Sequence, residues 1–559
     1  MNNFDFEVLV VGSGAGGSMA AYELTKAGHK VLMLEAGRDY DPKTETPMFK
    51  RNGEAPLMGA GNSDKDFGFY DATVDGGWQV PGEPYTAADG SEFLWWRARM
   101  LGGRTNHWGR YSLRFSEHDF KSKSRDGLGA DWPFGYDELA PWYDKTEALA
   151  GVCGTNTGLD DMPPSSEGIL QPPPKPRITE LLIAAAAKKL GIPVAPMHRA
   201  VLTRPLDNRA ACFYATPCGH GCSIGAAFQT TTSLIPMAKA TGNLQVITDA
   251  MVKSVDTDEH GTVTGVSYVD KKTSAVHQLK AKVVILAASA CESARLLLNS
   301  KSARFPNGLA NSSGQVGKNL MDSTGANIGA MVPALQGRPI YNEDGHTANH
   351  LFIPWWGHKA QERKELDFPR GYHFEIGGRF SEPSSGIAGN VQGYGADLKR
   401  QVKQNYGAYI GFALRGEMVP NEQCYMDIDP ELKDKWGIPV ARFHWKWSEH
   451  ELKQVAHGLN TAKAIFAHMG ADVGELPTPE QAILKGGEII HEVGTTRMGA
   501  SPKDSVTNQW GQSWDCPNLF VMDGGVFASN PHKNCTLTIM TLAMRNSNWL
   551  SAQLKQGAI

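Results

Sequence analysis

Two stretches near the C-terminal end carry side chains suited to acid–base work. In Ile489-Ile490-His491-Glu492-Val493-Gly494 a histidine follows a short apolar segment and precedes a glycine, so it can project from a strand end into a cleft. An imidazole titrates close enough to neutrality to take a proton from a substrate hydroxyl. Taken alone, one His among 17 is more often a satisfied structural residue, so its companions matter. Asn534, in Asn530-Pro531-His532-Lys533-Asn534-Cys535-Thr536, sits at the opening of a final helix. Its plain role is to cap that helix, and its functional role would be to hydrogen-bond a substrate hydroxyl beside His491. A third group is Cys212-x5-Cys218-Gly219-His220-Gly221-Cys222. Glycines between close cysteines let the backbone fold around a compact inorganic centre. Three buried structural thiols are the plain alternative, and zinc would need a fourth ligand, for which His220 is the near candidate. Three thiolates without a local fourth suit a three-iron cluster, or a four-iron cluster completed from elsewhere. The spacing is not a ferredoxin run, so the cluster type stays open at this point.

The elements that must position these groups begin at the N-terminus. Val8-Leu9-Val10-Val11 reads as a buried parallel strand opening into Gly12-Ser13-Gly14-Ala15-Gly16-Gly17, after which Ser18 to Ala27 is helical. Gly12 permits the tight turn, Gly14 lets a pyrophosphate approach the backbone, and Gly17 allows close helix–strand packing. The helix N-terminus then offers free N–H groups to phosphate oxygens. A second strand, Val31 to Leu34, ends in Glu35, whose carboxylate suits a ribose diol. The motif leaves open which dinucleotide is held. Polar loops run to about Phe93. Gly102-Gly103 with Asn106 and His107 then suits backbone laid against a flat ring or a phosphate. Six prolines between Pro163 and Pro176 mark a linker or surface arm, and the helix Ile178 to Leu190 stops at Gly191. Short strands follow at Leu244 to Ile247, Val252 to Val255 and Val263 to Val269, then a buried strand Val283 to Ala287 leading into a helix from Ala290. Alternating and aromatic segments between about Gly325 and Lys485 predict an antiparallel sheet. Within them Ser448 and Glu451 form a capping box ahead of an apolar stripe from Leu452 to Phe466. Leu519 to Met522 returns to parallel-strand character, ending in Asp523.

With 559 residues, 41% hydrophobic, 20% charged and a net charge of −4, the chain has ample core for two domains and no basic character for nucleic acid. No apolar run is long enough for a membrane span, and Asp5 and Glu7 lead straight into the first strand without a signal peptide. Eight cysteines in this length do not make a disulfide scaffold.

Six ordered motifs carry a family resemblance. They are Gly12-x-Gly14-x-x-Gly17, Gly102-Gly103, Ala288-Ser289-Ala290-Cys291-Glu292-Ser293-Ala294-Arg295, Val316-Gly317-Lys318-Asn319-Leu320-Met321-Asp322, His491-x-x-Gly494-Thr495-x-Arg497-Met498-Gly499 and Asn534-x-Thr536-Leu537-Thr538. In that order they are similar to the motifs of the glucose–methanol–choline (GMC) flavin oxidoreductases, over nearly the whole chain. The resemblance implies an α/β fold with an FAD-binding Rossmann-like domain of the p-hydroxybenzoate-hydroxylase type and an antiparallel-sheet substrate domain. It places the FAD domain in residues 1–324 plus 486–559, with the cysteine insertion and Pro-rich arm, and the substrate domain in residues 325–485. It implies FAD held by Gly12, Gly14, Gly17, Glu35, Gly102, Gly103, Asn106, His107 and Asp523, and His491 with Asn534 as the catalytic pair. The cysteine stretch resembles that of bacterial three-iron sugar dehydrogenases, which implies a [3Fe–4S] cluster on Cys212, Cys218 and Cys222.

Asn106-His107-Trp108-Gly109, Trp436-Gly437-Ile438-Pro439 and Pro531-His532-Lys533-Asn534 look most like the glucoside 3-dehydrogenase branch. That branch implies oxidation of a sugar at C3, a small partner subunit exported by a twin-arginine signal, a periplasmic location by co-export, and a cytochrome c-type acceptor, since the chain has no CxxCH. Glucose 1-dehydrogenase and gluconate 2-dehydrogenase activities, a sugar oxidase using dioxygen, an electron carrier without substrate chemistry, and a cytoplasmic location are the alternatives. Trp355, Trp356, Tyr372, His373 and Phe374 are either a sugar-stacking surface or sheet packing. Three departures stand out: Cys535 where a proline commonly follows the Asn, Ser323 where a His often follows Asp322, and His107, which resembles a flavinylated His but has different neighbours and is read as a non-covalent flavin contact.

Overall fold

The computed structural model describes residues 4–45, 76–214, 221–338, 349–377, 391 and 393–559. The N-terminal strand β1 (Phe6–Val11) runs through the glycine loop into helix α1 (Ala15–Lys26) and returns as β2 (Val31–Leu34). Most of the stretch between Gly37 and Phe93 that the sequence assigns to loops lies outside the described residues. Next come α2 (Tyr136–Ala150) and α3 (Ile178–Lys189). The prolines between them are not a loose arm. Pro164 O accepts from Arg114 and Ser165 Oγ donates to the buried Glu147 carboxylate, which binds the segment to the body.

Strands β3 (Leu244–Ile247), β4 (Ala250–Thr257), β5 (Val263–Asp270) and β6 (Val276–Leu286) lead to helix α4 (Ala290–Asn299). The eleven-residue β6 organises the main sheet. Its second half pairs in parallel with β1, Val11 opposite Leu286, and its first half pairs antiparallel with β5. Full burial of Val283, Val284, Ile285 and Leu286 explains their unbroken apolar run, because neither face meets solvent.

A five-stranded antiparallel sheet is built from β7 (Thr324–Met331), β8 (Leu351–Ile353), β9 (Tyr372–Gly377) and β10 (Tyr409–Gly416), in the order β7-β10-β9-β8, with Ala195–Pro196 on the β8 edge. Helix α5 (His358–Glu362) lies between β8 and β9. Strands β11 (Tyr425–Lys433) and β12 (Pro439–His444) form a separate sheet with Thr86–Ala87. That sheet packs into the larger core, where Phe443 stacks on Phe93 at 4.3 Å. The 20-residue helix α6 (Glu449–His468) covers the five-stranded sheet and starts at the Ser448–Glu451 capping box expected from the sequence. Val455, Leu459, Ala462 and Phe466 form its buried stripe, and α3 packs against the same core. The division at residues 325 and 485 is therefore crossed in both directions, by α3 and Ala195–Pro196 on one side and by β11 and β12 on the other. The chain closes with β13 (Leu519–Val521), parallel to β6, and α7 (Thr536–Gln556), which packs along α1.

Candidate active site

The glycine loop fits a bound dinucleotide by its steric detail. Gly12 has φ +99°, and a Cβ there would lie 2.4 Å from Ala287 O. At Gly17 a Cβ would lie 2.0 Å from Gly12 O, which is backbone and cannot swing aside. A Cβ on Gly14 would meet nothing within 4 Å, because that face opens into the cavity that Glu35 and His491 also line. Gly16, which the sequence reading passed over, lets β13 approach: a Cβ would sit 1.8 Å from Met522 O. Gly17→Ala is expected to cost about 2 kcal/mol through overpacking and to reduce flavin retention, measured as a lower Tm and a paler purified protein.

The cavity runs from Glu35 past the glycine loop to His491 and Asn534. Glu35 is buried, and its Oε2 accepts from the N–H of Ser13 at 3.1 Å and from the Ser13 hydroxyl, while Oε1 accepts from Gly37 N at 2.7 Å. Ser13 Oγ in turn accepts from Gly102 N at 2.8 Å, tying the two glycine stretches together. Gly103 and His107 line the cavity, and His107 Nε2 accepts from Trp96 Nε1 at 3.2 Å. Three members of the expected cofactor set stand back from it, Gly17 by packing against Gly12. Gly102 packs against Thr231. Asn106 is fully buried, its Nδ2 donating to Leu101 O and its Oδ1 accepting from Thr231 Oγ1, so its side chain holds the loop and does not line the cavity. Asp523 reaches the cavity wall, with Oδ2 accepting from Ser293 Oγ at 2.5 Å and Oδ1 from Gly525 N at 2.8 Å. Burial pushes its carboxyl up to about 6. The alanine- and serine-rich motif at α4 thus supplies the partner of Asp523, while Glu292 and Arg295 of the same helix are consumed by ion pairs to Arg99 and Asp434.

His491 is held from three sides. Asp322, fully buried at the end of the Val316–Asp322 motif, accepts from the backbone N–H of His491 at 2.9 Å and of Ile489 at 3.2 Å. Burial, with Glu492 nearby, pushes Asp322 up to about 7. Ser323 Oγ lies 2.9 Å from His491 Nδ1, and Asn534 Nδ2 lies 3.4 Å from its Nε2. Asn534 Nδ2 also donates to Glu375 Oε1 at 3.3 Å. Glu375 is held at about 2 despite its burial, chiefly by the Arg415 guanidinium 3.6 Å away, so it is an acceptor only and orients the amide nitrogen toward itself. That same nitrogen faces His491 Nε2, which leaves Nε2 as the basic position and puts the ring proton on Nδ1 toward Ser323. Burial, with the Arg415 charge adding to it, pushes the imidazole down to about 3, so it is neutral at working pH.

Two expectations are corrected here. Asn534 does not cap α7; Cys535 occupies the N-cap position, and the Asn534 side chain turns into the site. Tyr372 and Phe374 are fully buried in the second core and Trp355 nearly so, so they pack the sheet and form no sugar platform. Because side chains alternate along β9, His373 and Glu375 face the opposite way, toward Asn534 and His532. Glu375, Arg415 and Ser323 are site residues the sequence reading did not assign. The polar residues alternating with Tyr372 and Phe374 were the available signal. Ser323→Ala should free the imidazole and slow flavin reduction about tenfold, the equivalent of roughly 1.4 kcal/mol for one orienting hydrogen bond, read by stopped-flow absorbance.

Cys212 and Cys222 pack into one small cluster with Val201, Ala226 and Ala227. Cys212 Sγ accepts from Tyr214 N and Cys222 Sγ from Ala227 N, both at 3.4 Å. Cys218 and His220 lie outside the described residues.

A family model described as GMC oxidoreductase matches residues 6–324, and a second of the same description matches residues 420–543. The chain is 31% identical to 2-methyl-1,2-propanediol dehydrogenase of Mycolicibacterium austroafricanum, over 98% of this chain and 95% of that protein. It is 27% identical to the fructose dehydrogenase large subunit of Gluconobacter japonicus, over 99% and 98% of the two chains. Among solved structures, pyridoxine 4-oxidase from Mesorbium loti shares the fold with a TM-score of 0.64 at 16% identity, covering 98% of this chain and 99% of that one. A cavity lined by the glycine loop, Glu35 and the His491–Asn534 pair, and full-length agreement with these relatives, have one meaning: the chain belongs to the GMC oxidoreductase family, FAD-binding enzymes acting on CH–OH donors.

Proposed function

We propose that this chain is the catalytic subunit of a glucoside 3-dehydrogenase-like enzyme, oxidising a secondary sugar hydroxyl, at C3 of a glucoside, glucose or lactose, to the ketone. The observation that carries this reading is the neutral imidazole of His491, whose basic Nε2 and Asn534 partner face the cavity together. The N–H groups at the start of α1 would hold the FAD pyrophosphate beside Gly14, Glu35 the adenosine ribose, Asp523 the ribityl–phosphate region, and Gly103 with His107 the ring, without a covalent link. When bound, FAD supplies the hydride acceptor and a [3Fe–4S] cluster on Cys212, Cys218 and Cys222 supplies a one-electron exit. His491 Nε2 takes the hydroxyl proton, and the Asn534 amide fixes the oxygen while charge develops on it.

The full-length match to a protein named as a large subunit supports a partner subunit, for which we infer a small twin-arginine-exported protein and a periplasmic location. The acceptor is then a cytochrome c-type protein. Anaerobic titration of the yellow protein with glucose, methyl glucoside and lactose is expected to bleach the band near roughly 450 nm, as bound flavin does when reduced, and to yield the 3-keto sugar by NMR. Rapid reoxidation in air with stoichiometric peroxide would mean an oxidase instead. The 31% identical relative, named for a small diol, favours a second reading in which 1,2-diols are the donors. Bleaching by such diols and not by sugars decides for it.

A further inference from the structure

Behind the catalytic pair runs a row of buried ionisable side chains that alcohol oxidation at His491 leaves unused. Asn534 Nδ2 bridges His491 Nε2 and Glu375 Oε1 at 3.4 and 3.3 Å. Glu375 Oε1 is 3.6 Å from His373 Nε2, and His373 Nδ1 is 3.2 Å from His532 Nδ1. His532 Nε2 lies 3.1 Å from Asp161 Oδ1, and the same oxygen lies 3.3 Å from His358 Nε2. The His358 side chain, 11% exposed, stacks at 4.2 Å on the half-buried His118 at the surface. His532 is engaged through both ring nitrogens, while His373 is engaged through Nδ1 and turns an unpartnered Nε2 toward Glu375; such placements let an imidazole accept on one side and donate from the other.

Converting an alcohol to a ketone releases two electrons and two protons. One proton travels within the hydride, and the other is left on His491 Nε2, with the cavity mouth filled by sugar. We propose that Glu375, His373, His532, Asp161 and His358 form a proton exit from His491 to solvent. The proposal rests on His491 being the base. The His491 Nε2–H bond breaks as an O–H bond forms on Glu375, whose Oε1 shares the Asn534 amide with His491 Nε2. The proton passes to His373 Nε2 while the Nδ1 proton of His373 moves to His532 Nδ1. The Nε2 proton of His532 moves to Asp161 Oδ1 and on to His358 Nε2, and the Nδ1 proton of His358 goes to water. Each bond broken is matched by one formed, and one proton leaves the protein.

The charges facing the row suit this. Lys533 donates to Asp161 at 2.9 Å and to Asp119 at 2.6 Å, keeping Asp161 an ionised acceptor, and Arg415 stands 3.6 Å from Glu375. Burial lowers His491, and the Arg415 charge lowers Glu375 despite its burial, so neither group retains the proton at neutral pH. His118 and His373 are also held below the usual imidazole range by burial.

The same contacts would also fasten residues 530–534 to β9, and the test must separate the two roles. In the flavin-loaded enzyme, His532→Gln is expected to leave single-turnover flavin reduction within about twofold, while steady-state turnover with a one-electron dye falls about tenfold. Its solvent deuterium isotope effect should rise, and added imidazole should restore the rate, as for other lost acid–base groups. His358→Gln, nearer the surface, should shift the same readouts in the same direction and decides the matter if His532→Gln does not fold. In the flavin-free chain, nitrogen-15 histidine NMR should show the His373 tautomer changing when His532 is replaced. Loss of reduction and turnover together without imidazole rescue, or unchanged turnover and isotope effect in both variants, overturns the relay. Failure of every alcohol and sugar to reduce the wild-type flavin overturns the assignment of His491 instead, and the NMR coupling then decides the relay alone.

Discussion

His491→Ala slows reduction of the bound flavin by substrate about 10²–10⁴-fold, the range for removing a positioned general base, while flavin content stays near that of the wild type. The variant should keep its cofactor because the backbone N–H of His491, not its ring, is what Asp322 holds. The imidazole stands at the far end of the cavity from Gly14 and Glu35. The pH profile carries a second, independent signature. Burial and the Arg415 charge lower the folded pKa of His491 to about 3, so the neutral, active form is present at every pH above that value. Flavin reduction should therefore lose no rate to His491 as pH falls from 8 to 5, whereas an ordinary solvated histidine would lose it through about 6.5. A limb near that pH in anaerobic stopped-flow data would show a ring that water reaches, and a variant reduced at the wild-type rate would remove His491 from the chemistry.

Cys222→Ser has the other large expected effect. Cys222 is buried, and its thiol accepts from Ala227 N beside the cluster that also receives Cys212. Serine is a poor ligand for iron, so iron content and the electron paramagnetic signal should fall to background. Flavin reduction by sugar should persist, because Ser323, His491 and Asn534 belong to other elements. Transfer to a cytochrome c-type acceptor should drop by at least about a hundredfold if the thiolates carry the electron exit. Equal transfer rates in the variant and wild type would take the cysteines off the route.

Local grammar made much of this legible. The strand–glycine–helix–strand–acid series announced Gly12, Gly14, Gly17 and Glu35, since each part is specified within a few residues of the next. The Ser448–Glu451 box marked α6 for the same reason. Residues whose roles depend on distant partners were harder to place. Asn106 lies in the right motif, yet Thr231, far along the chain, claims its side chain. Ser323 looked like a loss relative to its family and proved to be the hydroxyl that orients the His491 ring. Trp355, Tyr372 and Phe374 stayed open between a sugar platform and sheet packing, because aromatic residues serve cores and sugar sites equally well. Glu375 could be placed only once β9 was known to turn its alternate face to Asn534.

The central position of β6 has a consequence for biogenesis. It is flanked by β1, made long before it, and by β13, made long after it. Gly14 and Glu35 emerge early, but His491, Asp523 and Asn534 all lie beyond residue 485. A ribosome-bound chain therefore exposes half a nucleotide pocket through most of its elongation, and pairing across so long a separation is slow. Colour should arrive only once Asp523 and Asn534 have emerged, which makes flavin uptake a late event in synthesis.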